Sequence, residues 1–488
     1  LSLDAARNLS VLSAEDTATS SNSTQVKKSG LSGGYASGNL SVGYGKSTTS
    51  TQGNNASVTQ HESTIGALNG SARLKSGETL QVVASDVAAK ENLTLIGKNV
   101  DLSAAQNTSD NQQSASSKSS GFSVGVTVNP LAAAKDVYKE SMKNASSSGT
   151  IGKLTSKADG VAEGLWAATT AVTVQFGSKS ANSNQNQSTS TARTTSLNAG
   201  KDLTILATDG SINSQGTQMS AEGNAMIVAK DGIKFDVAHN TETGSQDAKS
   251  SGFSFDNRSA MMAGTFNNKS KGNGATDTVT GTKLSVGGAT TIATQTGDIA
   301  LIGANVVSDG TLAISAARDL TITSAQDLAQ NTNQSDNKAI GKVVISDTER
   351  FVGYHNEKHK DNSSEVTQVA SNVASLKGDV VLTAGEKYTQ MSSNVLAGND
   401  VSITAKSIDI TALQDAGSRQ ESNSDLKVGA FARISSPLID LVNNVDAARK
   451  SDGRLQAMQG MAAAAQGYGA GKAIASNGIL VKGEVGVV

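Results

Sequence analysis

Residues 200–207 read Gly-Lys-Asp-Leu-Thr-Ile-Leu-Ala, and they contain the pattern on which the fold of the whole chain depends. Leu203 and Ile205 alternate with Thr204, which is typical of a short β-strand. The pair Asp209-Gly210 follows the strand as a turn signal. Similar strand-and-turn units recur about every 8 to 12 residues in several stretches of the chain. The sequence therefore predicts an all-β protein built from many short strands.

The short unit belongs to a longer tandem repeat. Five junctions lead from an apolar strand into a tract rich in Ser, Asn and Gln, and they begin at Ser13, Ser103, Val237, Ser324 and Thr411. The intervals between successive junctions are 90, 134, 87 and 87 residues. This near-constant period predicts a tandem array, and the long second interval predicts one insertion of about 45 residues.

The insertion falls at about residues 130–170. Strands are predicted on either side of it, at 121–128 and 171–177. Between them Pro130 opens a stretch that favours helix, and a second such stretch surrounds Trp166, the only tryptophan. We predict a helical excursion whose apolar face, including Trp166, packs on the solenoid or docks a partner.

Each repeat divides into a body and an arm, and each arm is predicted to be a β-hairpin that projects from the side of the stacked bodies. A body of regularly spaced strands cannot bury its apolar face alone, so the bodies are predicted to stack into a right-handed parallel β-helix, a solenoid of roughly ten coils. An antiparallel sandwich is the alternative. The solenoid interior would be filled by aliphatic side chains such as Leu301, Ile302, Val306, Leu312 and Ile314.

The composition disfavours several classes of function. The 488 residues include no Cys, which removes disulfides, thiolate nucleophiles and cysteine-based zinc sites. Aromatic residues make up only 3% of the chain, which is low for an enzyme core. The net charge of −2 gives no electrostatic case for nucleic acid. We expect no enzymatic activity, no cofactor and no nucleic-acid partner.

Three short patterns contain residue types found in active or metal sites. His355 and His359 are four residues apart, as in a metal-binding helix, but their segment is polar and favours a solvated arm. Gly467 to Ala473 lack the spacing and the hydroxyl residue of a phosphate loop. Aspartates in turns are explained by capping. A glycan-active enzyme, which some β-helices are, is disfavoured by the scarcity of aromatic residues, and no catalytic or metal site is predicted.

The repeated unit resembles the haemagglutinin repeats of filamentous haemagglutinin-type exoproteins. Versions of it lie at residues 199–205, 317–322 and 397–403, each with Asp followed by Leu or Val, Thr or Ser, and Ile. Polar tracts that lead into Ser-Gly-Phe-Ser, at 120–123 and 251–254, are similar to the second repeat region of contact-dependent growth inhibition toxins. The resemblance covers about residues 1–436.

The resemblance implies secretion through an outer-membrane partner transporter and display on the bacterial cell surface. It further implies a delivery module that engages the outer membrane of a target cell and helps a downstream toxin domain across. A structural or adhesive filament of a haemagglutinin-like adhesin is the alternative function. The chain opens at Leu1 without a signal peptide, which we interpret as a segment of a longer protein. Residues 437–488 favour helix and are expected to begin a pretoxin region.

The arms contain the candidate site. In the first, second and fifth arms apolar residues alternate with small or polar ones, which is the pattern of strands that span outer membranes. The third arm, at Phe253 and Phe255, and the fourth, at 351–354, keep this pattern less cleanly. The polar tracts would tether each hairpin to the solenoid. In solution the hairpin would lay its apolar face on the solenoid flank, and on target contact it would detach and insert. The candidate membrane-contacting residues are Leu40, Val42, Tyr44, Phe122, Val124, Val126, Val128, Val172, Val174, Phe176, Phe253, Phe255, Leu426, Val428 and Ile434.

Overall fold

A computed structural model describes residues 1–36, 39–128, 172–257, 263–346, 349–435 and 482–487. These residues form 35 strands, numbered here along the chain, and none of them lies in a helix. Three parallel sheets make up the bodies of the repeats, and one antiparallel sheet contains the arms. The predicted parallel β-helix is confirmed, and the antiparallel sandwich is excluded for the bodies.

The first sheet has nine parallel strands, one from each coil of the solenoid. Its fourth strand shows the register, because Leu203 pairs with Leu93 on one side and with Ala225 on the other. The strands are β1 (Ser2–Ala5), β6 (Ala72–Ser76), β9 (Leu93–Gly97), β14 (Leu203–Ala207), β17 (Ala225–Ala229), β21 (Thr290–Thr294), β24 (Leu312–Ala316), β29 (Val380–Ala384) and β32 (Val401–Thr404).

The second and third sheets complete each coil. The second contains β2 (Leu9–Leu12), β7 (Thr79–Val83), β10 (Asn99–Ser103), β15 (Ile212–Gln215), the start of β18 (Ile233–Asp256), β22 (Ile299–Ile302), β25 (Leu320–Thr323), β30 (Lys387–Met391) and β33 (Ser407–Thr411). The third contains β5 (Thr64–Ala67), β8 (Asp86–Ala89), β13 (Ser196–Ala199), β16 (Gln218–Ala221), β20 (Lys283–Val286), β23 (Asn305–Ser308), β28 (Asn372–Ser375) and β31 (Asn394–Ala397).

The interior of the solenoid is one cluster of mostly aliphatic side chains, to which all three sheets contribute. Leu203 and Ile205 are buried in it, while Thr204 between them is not, as strand alternation requires. Four of the five predicted interior residues, Leu301, Val306, Leu312 and Ile314, are buried there. The prediction for Ile302 is wrong, because it follows buried Leu301 on the same strand and therefore faces outward, half-buried.

Asn and Asp side chains stack at one corner of the coils and bond the backbone of the next coil. Asn92 Oδ1 accepts a hydrogen bond from the Asp202 amide at 3.2 Å, and Asp202 Oδ1 accepts one from the Asn224 amide at 2.8 Å. Asn224 Oδ1 in turn accepts from the Ala289 amide at 2.9 Å. These ladders satisfy turn amides that the parallel sheets leave unpaired, as the sequence predicts for coil corners.

The corner between the second and third sheets alternates between two forms. In every second coil, two residues turn the chain, and the first of them has a positive φ: Ala84 (44°), Gly216 (63°), Gly303 (55°) and Ser392 (41°). In the other coils the arm occupies this corner, for example between β2 and β5. An arm is therefore an expansion of a corner that elsewhere needs two residues.

The arms join into one antiparallel sheet, here called the arm sheet. Nine of its ten strands are 19 to 24 residues long, the last has six, and each pairs with its neighbours in the order given below. In order across the sheet they are β3 (Ala14–Ala36), β4 (Asn39–His61), β11 (Ala105–Thr127), β12 (Val172–Arg193), β18 (Ile233–Asp256), β19 (Ala263–Gly281), β26 (Ala325–Ser346), β27 (Glu349–Val369), β34 (Ala416–Ser435) and β35 (Lys482–Val487).

The arm sheet corrects two predictions. The polar tracts are strands rather than tethers: the tract 105–120 is paired throughout, with 178–193 on one side and, from Thr108, with β4 on the other. The arms also do not project singly, because each hairpin pairs with its neighbours. The physical reason is equal spacing. One module adds two coils to the solenoid and two strands to the arm sheet, and both therefore grow by about 9.6 Å per module.

Each boundary between hairpins is fixed near the solenoid by a side-chain acceptor, here called a root clamp. Asn107 Oδ1 accepts a hydrogen bond from the Gln60 amide at 2.6 Å, and Asn240 Oδ1 accepts from the Ala192 amide at 2.9 Å. The same bond recurs from the Val279 amide to Asp327 Oδ1 and from the Gln368 amide to Asp415 Oδ1, both at 2.7 Å. Four boundaries thus share one device.

Two predictions of helix concern the insertion at 130–170 and the C-terminal segment 437–488. The helical insertion at 130–170, with Trp166, lies outside the described residues, as does most of the predicted helical segment 437–488. The strands that flank the insertion are confirmed, as β11 and β12. Lys482–Val487 form a strand that pairs with β34, so the helical prediction is wrong for these six residues.

Candidate functional site

The outer ends of the arm strands, away from the solenoid, carry apolar side chains on one face, here called the apolar stripe. Residues directly paired across antiparallel strands share a face, as do residues two apart on one strand. The pairing therefore aligns three rows across the first two hairpins and into the third, and these contain Leu31, Tyr44, Phe122, Phe176 and Phe255; Val42, Val124 and Val174; and Tyr35, Leu40, Val126 and Val172.

The stripe continues, more narrowly, over the later hairpins. One row on the same face contains Phe253, Thr265, Ile340, Tyr354 and Val428. Leu426 lies two residues before Val428 and so shares its face. Leu31, Tyr35 and Ile340 were missed in the sequence, because they stand singly among Gly, Ser and Lys. Only the strand pairing brings them into the stripe.

Most side chains of the stripe are exposed. Val124 and Val126 are 48% and 52% exposed, and Leu40, Val42, Tyr44, Phe122, Val128, Val172, Phe176, Phe253, Leu426 and Val428 are exposed as well. Val174 and Phe255 are half-buried, and the side chain of Ile434 lies outside the described residues. The prediction that the hairpins lie on the solenoid flank is wrong, because they pair with one another instead and leave this face uncovered in the described structure.

Aromatic contacts connect the second hairpin to the third. The ring of Phe176 stacks on that of Phe255 at 4.8 Å between centroids and meets Phe253 edge to face at 5.7 Å. Such pairs contribute about 0.5–1.5 kcal/mol each beyond the area they bury. The contact lies within the stripe, so it stabilises the sheet where its apolar face is widest.

On the reverse face, next to the level of Phe122, one row is nearly free of side chains. This row contains Gly30, Gly45, Gly121, Gly177, Ser254 and Gly264, and it continues through the paired Gly341, Gly353 and Gly429. Phe351 lies on this face and is fully buried. A Cβ on Gly353 would lie 2.3 Å from Val428 O, 2.7 Å from Gly429 Cα and 2.9 Å from the Phe351 ring, so the glycine allows both the neighbouring strand and that ring to approach closely.

A group of lysines, here called the lysine band, lies on the face of the stripe. Over the first two hairpins the band lies immediately towards the solenoid, whereas over the later hairpins its outermost two rows also contain the stripe residues Phe253, Ile340, Tyr354, Val428 and Leu426. Four consecutive rows contain nine lysines and only two acidic residues, Asp247 and Asp336. The lysines are Lys27, Lys46, Lys118, Lys249, Lys269, Lys271, Lys338, Lys358 and Lys360. In the sequence these lysines are spread over seven strands, and only the pairing of those strands brings them together.

On the reverse face of the same stretch, acidic residues outnumber lysines. This face carries three lysines, Lys28, Lys179 and Lys427, against four acids, Glu357, Asp361, Glu421 and Asp425. Partial burial acts to raise the pKa of Asp425, but hydrogen bonds from Lys427 and His355 hold it below its ordinary value. The positive charge is therefore concentrated beside the apolar stripe and not behind it.

The two histidines lie on strand β27 and not on a helix. Four residues of strand separate their positions by about 13 Å, and each has its own partner. His355 Nε2 is 2.7 Å from Asp425 Oδ1, and His359 Nδ1 is 2.5 Å from Asn423 Oδ1. Among the described residues no group of three His, Asp or Glu side chains is placed to hold a metal ion. The segment Gly467 to Ala473 lies outside the described residues.

Within the described part of the chain, no helix has the length and apolarity to cross a membrane. The strand pairing and the exposed side chains give the arm sheet one face that is apolar at its outer end and basic next to it.

Comparison with known proteins follows the same repeats. The Hemagglutinin repeat family matches residues 1–119, 42–157, 175–339 and 263–430, which together include every module. The chain belongs to the hemagglutinin repeat family. The family match confirms the resemblance found in the short unit at 199–205 and in its counterparts.

Relatives of this hemagglutinin repeat chain include segments of contact-dependent inhibition toxins. It is 31% identical over 175 residues to the deoxyribonuclease CdiA of Yersinia pseudotuberculosis serotype O:3 (strain YPIII), covering 35% of this chain and 16% of that protein. It is 26% identical over 431 residues to the tRNA nuclease CdiA of Escherichia coli (strain STEC_O31), covering 81% of this chain and 13% of that one. The toxin CdiA of Yersinia pestis is 31% identical over 192 residues, 38% of this chain and 6% of the relative. The chain thus spans a small part of these relatives, and no solved structure matches it.

Proposed function

We propose that this chain is a non-enzymatic delivery segment of a secreted bacterial toxin. It associates with the outer membrane of a target cell and helps a downstream C-terminal toxin domain across. The parent chain leaves its own cell through an outer-membrane partner transporter and is displayed on the cell surface. Similarity to CdiA toxins supports this setting. The observation that carries the membrane role is the exposed apolar stripe at the outer end of the arm sheet.

The stripe supports membrane association because it is large, continuous and uncovered in the described structure. Soluble proteins rarely expose contiguous apolar patches of more than a few hundred Å² unless the patch binds a protein or a membrane. Phe122, Val124 and Val126 share one face, and their neighbours on β4 and β12 extend it sideways. A membrane can accept such a face without exposing backbone groups, since the backbone is already paired within the sheet.

The pairing between hairpins changes the hypothesis of how the apolar stripe reaches lipid. The sequence alone favours hairpins that detach one by one. Detachment of the hairpin β11–β12 would break its pairing with β4 over 20 residue pairs and with β18 over 16. Those backbone bonds would have to be lost before any contact with lipid forms. We therefore propose that the sheet approaches the membrane as a unit.

The decisive experiment places charge in the stripe of the full-length parent toxin. The double variant Val124→Asp and Val126→Asp should abolish toxin delivery while secretion and binding to target cells persist, because two carboxylates would have to enter lipid. The matched control is Gln112→Asp with Ser114→Asp. These residues are exposed, and they lie on the same strand and face but in its polar half. Normal delivery by the Val124 and Val126 variant would overturn the proposal and favour a passive filament.

A further inference from the structure

Over the first two hairpins the apolar stripe and the lysine band occupy one face in a fixed order, with the band on the side of the solenoid. Phe122 and Val126 are four residues apart on β11, so the stripe is about 14 Å deep on this strand. The hydrocarbon core of a bilayer is about 30 Å thick, and one leaflet accounts for about half of it. When the stripe fills one leaflet, Lys118 and Lys46, which lie just behind it, stand at the level of the headgroups.

Resting on the proposed function, we propose that the lysine band binds the phosphate-bearing headgroups of an anionic membrane surface while the apolar stripe enters its outer leaflet. The occupant is a lipid surface rather than a soluble anion, because the lysines are spread over several strands and do not converge on a pocket. Lys27, Lys118 and Lys338 illustrate this, since they share one row but lie on β3, β11 and β26.

Charge complementarity supports this occupant. Within the described structure, seven of the nine lysines make no salt bridge to an acidic residue. The side-chain nitrogens of Lys249 and Lys338 lie 3.6 and 3.5 Å from carboxylate oxygens of Asp247 and Asp336. The chain as a whole has a net charge of −2, so the band is a local concentration and not a consequence of overall charge. Lysines near an anionic lipid surface contribute about 1 kcal/mol each, and the effect extends over about one Debye length.

The test measures binding of the chain to vesicles of phosphatidylcholine alone and to vesicles that also contain phosphatidylglycerol. The wild-type chain should bind the second kind more tightly, and added salt should remove the difference. The double variant Lys27→Gln and Lys118→Gln should lose about thirtyfold in affinity for the anionic vesicles and bind phosphatidylcholine as before.

The control removes the same charge from the reverse face. Lys28→Gln with Lys179→Gln changes two exposed lysines at the same level of the sheet and should bind both vesicles like the wild type. Equal losses from the two pairs would overturn the inference, because net charge and not the band would then be responsible.

The vesicle experiment also separates this inference from the function on which it rests. Equal binding of the wild type to both kinds of vesicle overturns the lysine inference and leaves membrane association intact. Binding to neither kind overturns membrane association itself. The Val124→Asp and Val126→Asp variant should lose affinity for both kinds, since it acts through the apolar stripe.

Discussion

Gly125 lies where the reverse face of the arm sheet has no room for a side chain. A Cβ there would lie 2.7 Å from Leu40 O and 2.8 Å from Thr173 Oγ1. We expect Gly125→Ala to destabilise the outer end of the arm sheet by about 1–3 kcal/mol, because overpacking shifts the backbone. Hydrogen exchange of β11 amides would report the loss. Gly45→Ala is the control, since its nearest neighbour, Ser120 O, is 3.8 Å away. Equal losses of protection would show that the crowding at Gly125 is unimportant.

Tyr388 makes the solenoid sensitive to alkaline pH. The residue is buried in the core, its hydroxyl donates to Gln390 Oε1 at 2.8 Å, and burial raises its pKa to about 12. Between its ordinary pKa of 10 and about 12 the unfolded chain loses this proton while the folded chain retains it, so stability falls as pH rises through that window and is unaffected below it.

The Tyr388→Phe variant tests this assignment. It should be destabilised by about 1 kcal/mol at neutral pH, because Gln390 loses a donor. It should also show a smaller fall in the urea midpoint between about pH 10 and 12 than the wild type. Parallel curves for the two proteins across this range would count against Tyr388 as the group responsible.

Whether the role of a residue can be predicted from the sequence depends on whether its neighbours in sequence already indicate that role. Leu203 and Leu301 are predictable as core, since each sits in an alternating strand beside a turn signal. Lys118 is not predictable as part of a basic surface, because it stands alone among serines and gains its basic neighbours only from pairing between strands far apart in sequence. Half of the candidate site, its apolar part, was therefore visible in the sequence, and its basic part was not.

At the scale of elements, the polar tracts show what periodicity cannot detect. Both faces of the inner arm sheet are polar, so the tract 105–120 lacks the apolar alternation by which a half-buried strand is recognised. Its strand structure comes from backbone pairing with 178–193 and from the root clamps, and both depend on the solenoid holding successive hairpins in step.

The root clamp at Asn107 gives a prediction for one element boundary. Asn107→Ala removes the acceptor of the Gln60 amide and should weaken the contact between the first and second hairpins by about 0.5–2 kcal/mol. Exchange of the Gln60 amide, measured by NMR, should become faster. Asn111→Ala, on the same strand but further from the solenoid, serves as the control. Unchanged exchange at Gln60 would mean that strand pairing alone fixes the boundary.

At the scale of the molecule, the core belongs to the solenoid alone. The core cluster contains residues of the three parallel sheets and no residue of the antiparallel pairing. Replacing 324–371, which include the fourth hairpin, with the two-residue corner Gly-Ala, as at Gly303 and Ala304, should therefore leave the solenoid folded. The arm sheet would be split between β19 and β34. Retained cooperative unfolding with lost protection in β19 is the expected result, and loss of cooperative unfolding would contradict it.

Deletion of the inserted residues 130–170 is also expected to leave the solenoid folded. The strands on either side of them, β11 and β12, are already paired up to Val126 and Val172. A short turn should close this hairpin as it closes the others, so the midpoint of thermal unfolding should stay close to that of the full chain. A large fall in the midpoint would show that the insertion stabilises the solenoid.

The two-coil, two-strand module also restricts how such a gene can lengthen. Duplicating a single coil would lengthen the solenoid by about 4.8 Å without adding a strand to the arm sheet. The next hairpin would then be displaced from its neighbour by one additional strand spacing and could not pair with it. Duplicating a complete module of about 87 residues, the interval between the later junctions, adds coils and strands in equal number. Recombination that exchanges whole modules would therefore preserve a continuous sheet, and the lengths of such arrays should differ by steps of two coils.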